Sequence, residues 1–384
     1  MIKRTDLKLR LQKSLKRSRA VVLLGPRQCG KTTLARELVD INSFNYFDLE
    51  DPESIKRLDD PMTALTGLKG LVVLDEVQRR PELFPILRVL LDRKPSPAKF
   101  LILGSASPEL LKQSSESLAG RIETIVMGGL SLDEVGDKQA SRLWLRGGFP
   151  LSYLAKNDAD SFVWRNSFIR TFLDRDLRQQ GMSAPMVALH RFWTMLAHSH
   201  GQIWNAADPA GSLGVSQPTI RRYLDILSGV FMVRQLQPWH QNIKKRQVKA
   251  PKIYMRDTGI LHSLLGIRTM DDLLTNPKYG ASWEGYVIEE IIHSVDPDEV
   301  YFWATHNAAE IDLVFIKDGR MYGVECKRAD APGMTPSIRV ALEDLKLEHI
   351  AVIYPGKQRY SLNKKVTVVP FDSITGGMKS IFGK

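Results

Sequence analysis

Cysteine is nearly absent: Cys29 and Cys326 are the only two in 384 residues. Two thiols cannot build a disulfide scaffold or a thiolate metal centre, so each reads as a reduced small filler, with oxidation at Cys29 as the alternative. Long apolar runs are missing as well. No stretch approaches the ~18 uninterrupted apolar residues of a membrane span. The basic start (Lys3, Arg4, Lys8, Arg10, Lys13, Lys16, Arg17, Arg19) has no signal-length apolar segment before Ala20. The expected location is therefore cytoplasmic, with no membrane partner. Repeats and low-complexity tracts are lacking too, which excludes solenoids and disordered tails. With 43% hydrophobic and 25% charged residues, the chain has the composition of two or three packed domains.

What is present in excess is positive charge, 54 Lys and Arg against 43 Asp and Glu, a net of +11. Such an excess favours polyanionic partners, since neutralising phosphates releases counterions; solubility alone is the plainer account.

The most informative stretch is GPRQCGKTT at 25–33, between the apolar run Ala20–Leu24 and the helical segment Leu34–Leu38. Gly25-x-x-x-x-Gly30-Lys31-Thr32 between a strand and a helix is a phosphate-binding P-loop. Its glycines let the loop Gly25, Pro26, Arg27, Gln28, Cys29, Gly30, Lys31, Thr32 and Thr33 curl around phosphate oxygens, with every residue but the proline offering an N–H. The following helix adds its free N–H groups and positive dipole end. Lys31 would reach the β- and γ-phosphates of ATP and Thr32 would ligate Mg2+. Further on, Gly70–Glu76 is an apolar strand ending in two acids. Asp75 would share the magnesium with Thr32, and Glu76 would orient or deprotonate the attacking water. Phe44–Leu49, Lys99–Ser105 and Ile122–Met127 read as further strands, and Pro81–Leu91 as an amphipathic helix. Ser105 at a strand tip is either a γ-phosphate sensor or a strand-ending serine. Arg121 is either an arginine finger acting across a subunit boundary or a surface arginine.

Together GPRQCGKTT, VVLDEVQ, ILGSAS and LAGRI resemble bacterial and archaeal AAA-type ATPases of the archaeal-ATPase-like group, and the strand at 99–104 resembles the additional-strand catalytic-glutamate branch of P-loop folds. The resemblance covers nearly the whole chain and implies magnesium-dependent ATP hydrolysis, often in homo-oligomers. Leu145–Pro150 is similar to a GGFP element that follows the ATPase module in that group. Gly147-Gly148 permits a tight turn, so a domain boundary is expected at 150.

Phe162–Arg178 and Pro185–Ser199 read as helices. His198-x-His200 suggests a metal pair but has no third ligand. In Leu213–Leu224 a glycine turn and a Ser216 cap open an amphipathic helix whose buried stripe is Ile220, Leu224 and Leu227. That is the second half of a helix-turn-helix, with Arg221 and Arg222 off the buried stripe and placed to meet a duplex. The apolar run Val230–Leu236 and the segment Lys252–Met255 then make a hairpin with a basic tip, and the whole reads as a winged helix over 151–258. Lys244, Lys245, Arg246, Lys249, Lys252 and Arg256 form a patch for nucleic-acid phosphates, DNA being favoured. Winged helices also serve as protein-interaction modules, and that alternative stays open.

From 259 onward, Trp283–Ile292 is helical, and Glu310–Ile316 and Arg320–Lys327 are strands joined by Asp318-Gly319, a hairpin signal. Strand alternation puts Glu325 and Lys327 on one face. This set resembles the PD-(D/E)xK restriction-endonuclease-like core, with Asp312, Glu325 and Lys327 matching its motif and Glu284 its upstream acid; the leading proline is absent. The resemblance implies Mg2+ held by Glu284, Asp312 and Glu325, with Lys327 activating the water. A degenerate binding domain is the alternative.

The expected fold class is α/β: a P-loop NTPase parallel sheet (1–150), a helical linker and winged-helix domain (151–258) and an α/β restriction-endonuclease-like domain (259–384). The expected function is ATP hydrolysis coupled to nucleic-acid binding, with a magnesium-dependent nuclease domain. A nucleotide-switched interaction protein with an inactive C-terminal domain, or a transcriptional regulator with ATP as effector, are the competing readings.

Overall fold

Six consecutive buried residues form β1, Ala20–Gly25, and the reason is visible on both sides of it. Ala20, Val22 and Leu24 enter one apolar cluster with Phe47, Leu74, Leu83 and Phe100. Val21 and Leu23 enter another with Leu7, Leu11, Leu34 and Leu103. A strand covered on both faces belongs in the middle of a parallel sheet. In the computed structural model, which describes residues 2–94, 97–105, 118–179, 182, 184–239, 249–305 and 309–383, β1 is joined by β2 (Tyr46–Asp48), β3 (Gly70–Asp75), β4 (Ala98–Ser105) and β5 (Ile122–Val126) in the order β2-β3-β4-β1-β5. All pairings are parallel. The strand that follows β3 is inserted between it and β1, so the α/β class and the additional-strand arrangement expected from the sequence are observed.

The backbone divides into two compact units, Met1–Gly129 with Gly229–Phe231, and Leu130–Ser228 with Met232–Lys384. The first ends at Gly129 rather than Pro150. The Gly147-Gly148 turn lies inside the second unit, where Gly148 N–H donates to Asp257 at 2.8 Å. No division falls at 258 either. Every residue of the helix Thr258–Leu264 is buried, packed against the helices Ala140–Arg146 and Asp158–Thr171. A helix buried on every side belongs to the core it packs in rather than to the start of a new domain.

The second unit holds two sheets. β6 (Gln202–Ile203), β7 (Val233–Leu236) and β8 (Lys252–Met255) pair antiparallel in the order β6-β8-β7. Between β6 and β7 lie the helices Ala207–Leu213 and Gln217–Gly229, separated by Gly214 at φ 66°. Ile220, Leu224 and Leu227 are buried as their spacing predicts. The larger sheet contains β9 (Glu299–Ala304), β10 (Glu310–Lys317), β11 (Arg320–Cys326), β12 (His349–Tyr354), β13 (Tyr360–Asn363) and β14 (Val366–Pro370), ordered β13-β14-β12-β11-β10-β9. Asp318 and Gly319 turn β10 into β11 with φ of 50° and 72°, the double left-handed geometry for which Asp-Gly is selected. The helices Tyr279–Val295 and Pro336–Leu345 pack on this sheet. Among the described residues no helix is long and apolar enough to cross a membrane.

Candidate nucleotide site and a carboxylate-lined sheet edge

In the first unit the loop after β1 leads into the helix Lys31–Arg36. Two glycines are required by geometry: a Cβ on Gly25 would stand 2.2 Å from the Met127 carbonyl oxygen, and Gly30 caps the helix at φ 103°. Gln28 is also left-handed, at φ 62°. The Lys31 side chain is buried, its ammonium donating to the carbonyls of Gly25 at 2.9 Å and Pro26 at 2.8 Å. Arg4, in the basic N-terminal segment, is buried as well and donates to the Cys29, Gly128 and Gly129 carbonyls.

The acids at the end of β3 sit at the same sheet edge. Asp75 is 2% exposed; it accepts from the Tyr46 hydroxyl at 2.8 Å and from the Thr32 hydroxyl. Burial raises its pKa, and those two hydrogen bonds oppose the rise. Glu76 is held at φ 57°, a left-handed conformation that costs a non-glycine residue about 1–3 kcal/mol and is concentrated at functional sites. Burial raises its carboxyl pKa too, and the nearby Lys31 charge works against that. Gln78 donates to the Glu76 carboxylate while its carbonyl accepts the Ser105 N–H at 3.2 Å. Among the described residues the Ser105 hydroxyl is buried without a partner. Arg121 is held by its own chain: Nε and Nη2 donate to the two oxygens of Asp92 at 2.7 and 2.9 Å. Arg27 lies 3.7 Å from Glu50. Pattern reading missed Tyr46, Gln78 and Arg4; parallel pairing of Asp48 with Asp75 sets Tyr46 near Asp75, and no spacing rule reveals that.

In the second unit, antiparallel pairing sets Asp312 beside Glu325 at the β10–β11 edge. Asp312 accepts the Cys326 N–H at 2.8 Å. Lys327 Nζ is 2.7 Å from Glu325 Oε1, so the expected shared face is observed. The fourth expected residue, Glu284 on the helix Tyr279–Val295, reaches the same place but faces a cation instead. Lys252 Nζ lies 3.2 Å from Glu284 Oε1 and 3.9 Å from Asp312 Oδ1, and it also contacts the Glu310 carboxylate. The Tyr254 hydroxyl donates to Glu284. Burial and the neighbouring Asp312 push Glu284 up to about 7 and Glu325 up to about 8, and burial raises Asp312. For Lys252 burial works downward, but the charges of Glu284, Asp312 and Glu310 outweigh it and the ammonium is retained. Among the described residues no three His, Cys, Asp or Glu side chains form a metal-holding group. A divalent ion does not fit this donor set, because an ammonium stands among the carboxylates it would need.

Lys252 was expected in a phosphate-contacting patch with Arg256. Both are turned inward instead: Lys252 is 4% exposed, and Arg256 pairs with Glu289, burial pulling its pKa down to about 10. All four residues of β8 are buried, so its side chains meet protein on both faces. The spacing Glu310-x-Asp312 and Lys252-x-Tyr254 on strands was the available signal. Arg221, Arg222 and Lys249 are exposed. Lys244, Lys245 and Arg246 lie outside the described residues. The His198/His200 pair is divided, His198 exposed and His200 buried with Nδ1 accepting the Met255 N–H at 2.9 Å.

The chain matches an AAA domain family over 17–136 and two domains of unknown function, DUF8612 over 137–271 and DUF4143 over 279–374. It is 51% identical over 374 residues to uncharacterized protein Rv2008c of Mycobacterium tuberculosis and, equally, to uncharacterized protein Mb2031c of Mycobacterium bovis, covering 97% of this chain and 85% of each relative. A Walker-type ATPase of Pyrococcus abyssi, PABY2304, superposes with a TM-score of 0.50 at 14% identity, over 69% of this chain and 96% of that one. At that identity the likeness is one of fold.

Proposed function

The chain belongs to the same family as the two mycobacterial proteins and carries that family's AAA-type P-loop module; on that premise we propose that it hydrolyses ATP in its first unit and binds nucleic acid through its second. The observation that carries the ATPase reading is the meeting of Lys31, Thr32, Asp75 and Glu76 at one edge of a parallel sheet. A buried carboxylate bonded to a hydroxyl suits Mg2+, which takes one or two protein oxygens and completes its shell with phosphates and water. Thr32 and Asp75 would hold the ion, which when bound neutralises charge on the transferred phosphoryl group. Lys31 binds the phosphates, Tyr46 orients Asp75, and Glu76 takes or steers the proton of the attacking water. Ser105, whose hydroxyl has no partner among the described residues, would sense the γ-phosphate. Lys31→Ala and Glu76→Gln test this: each lowers ATP turnover by at least about a hundredfold, and unchanged turnover in both would sink the assignment.

Nucleic-acid binding is supported by the element order helix, strand, helix, helix, hairpin, which suits a winged helix, and by exposed Arg221 and Arg222 on its third helix. Fluorescence anisotropy with DNA and RNA duplexes over a salt series is the check. We take the C-terminal edge to be unable to cut by a metal-dependent route, because Lys252 stands among its carboxylates. Magnesium- or manganese-dependent cleavage by the wild type, lost in Asp312→Ala and Lys327→Ala, would assign a nuclease instead. Assembly into a homo-oligomer is part of the proposal. In it Arg121 exchanges Asp92 for a neighbour's γ-phosphate, and Arg121→Ala then lowers turnover without changing the subunit count seen by mass photometry.

A further inference from the structure

Four carboxylates, Glu284, Glu310, Asp312 and Glu325, crowd one edge of the larger sheet, and two ammonium groups serve them. Lys327 pairs with Glu325 and is partly exposed. Lys252 is different in three ways. It reaches three of the acids, Glu284, Glu310 and Asp312, and is itself almost fully buried. It comes from a separate sheet, on the strand that pairs on both sides, Lys252 standing opposite Ile203 and Leu236. Its stem lies over the Phe302 ring, with Nζ 5.7 Å from the centroid. Removing this ammonium would leave the buried Asp312 and the partly buried Glu284 and Glu310 without their shared cation, which is destabilising.

We propose that Lys252 is the resident cation of this carboxylate cluster, an intrachain ammonium that takes the place of a divalent metal ion and keeps one out. The physical ground is like-charge exclusion. A divalent ion shared by Asp312 and Glu284 would be held by oxygens that already stand 3.9 and 3.2 Å from a buried ammonium, where the low dielectric makes repulsion large. The cluster therefore has the residues of a metal site without its capacity. A segment far away in sequence, β8, decides this. The inference does not depend on ATP hydrolysis in the first unit.

Mn2+ titration followed by EPR tests it on the full-length, nucleotide-free chain, with Asp75→Asn throughout so that the P-loop contributes no site. With Lys252 in place no Mn2+ binds at the cluster. Adding Lys252→Met creates one site per chain, and adding Asp312→Asn to that removes it again. Mn2+ also raises the melting temperature of the Lys252→Met chain but not that of its parent. Two results would overturn the proposal: a Mn2+ ion already bound with Lys252 present and lost in Asp312→Asn, or no gain of Mn2+ by a folded Lys252→Met chain. Should Lys252→Met fail to fold, the combination with Glu284→Gln and Glu310→Gln decides. Recovery of a cooperative melt supports the resident ammonium, and no recovery contradicts it.

Discussion

At the residue scale, the first unit depends on contacts that tolerate no added atoms. Gly25→Ala forces a methyl into the Met127 carbonyl, so the variant loses ATP binding in a fluorescent-nucleotide titration and melts several degrees lower. Tyr46→Phe removes a hydrogen bond from a buried carboxylate. The expected result is weaker Mg2+-ATP binding, with a larger change in KM than in kcat. Glu290 offers a pH test. It is fully buried, its carboxylate accepting the Leu132 N–H at 2.8 Å, and burial lifts its pKa to about 8. A carboxyl raised on folding keeps a proton that the unfolded chain releases near 4.5. Its contribution to stability is therefore complete below that value and disappears as pH rises through about 8. Glu290→Gln, which can still accept from Leu132, should melt a few degrees above wild type at pH 8.5, and the advantage should vanish by pH 4.5. Calorimetry at the two pH values checks this.

At the element scale, local chemistry wrote most strands and turns plainly. The P-loop, the Asp318-Gly319 hairpin and the Ser216 cap, whose hydroxyl accepts the Thr219 N–H at 3.3 Å, all depend on residues adjacent in sequence. The helix Gln217–Gly229 illustrates both the reach and the limit of such reading. Its buried stripe followed from spacing, and the exposure of Arg221 and Arg222 followed from the stripe. Replacing both arginines by alanine should weaken duplex binding and reduce the slope of log affinity against log salt by about two. An unchanged slope would remove this helix from the interface. For β8 the same reasoning went astray: Lys252 and Arg256 were counted as surface cations because lysine and arginine are rarely buried. Both turn inward because acids from the helix Tyr279–Val295 and from β10 wait for them, and no local pattern announces an acid more than thirty residues away.

At the scale of the whole chain, the units do not follow the boundaries that composition suggests. A fragment beginning at 259 lacks β8, and with it the cation of Glu284, Glu310 and Asp312, so it should not yield a cooperative melt. Calorimetry of the intact chain should resolve no more than two transitions, in keeping with two compact units. By itself the sequence determined the α/β class, the phosphate loop with its two acids, and the hairpin that sets Asp312 beside Glu325. Each rests on periods and spacings within a few residues, where backbone geometry leaves little choice. Only the tertiary structure decided that Arg121 is tied to Asp92, that the turn at Gly147 is internal, and that Lys252 occupies the carboxylate edge. Those outcomes depend on which surfaces bury one another, and charge in a low-dielectric interior is governed by neighbours in space rather than in sequence.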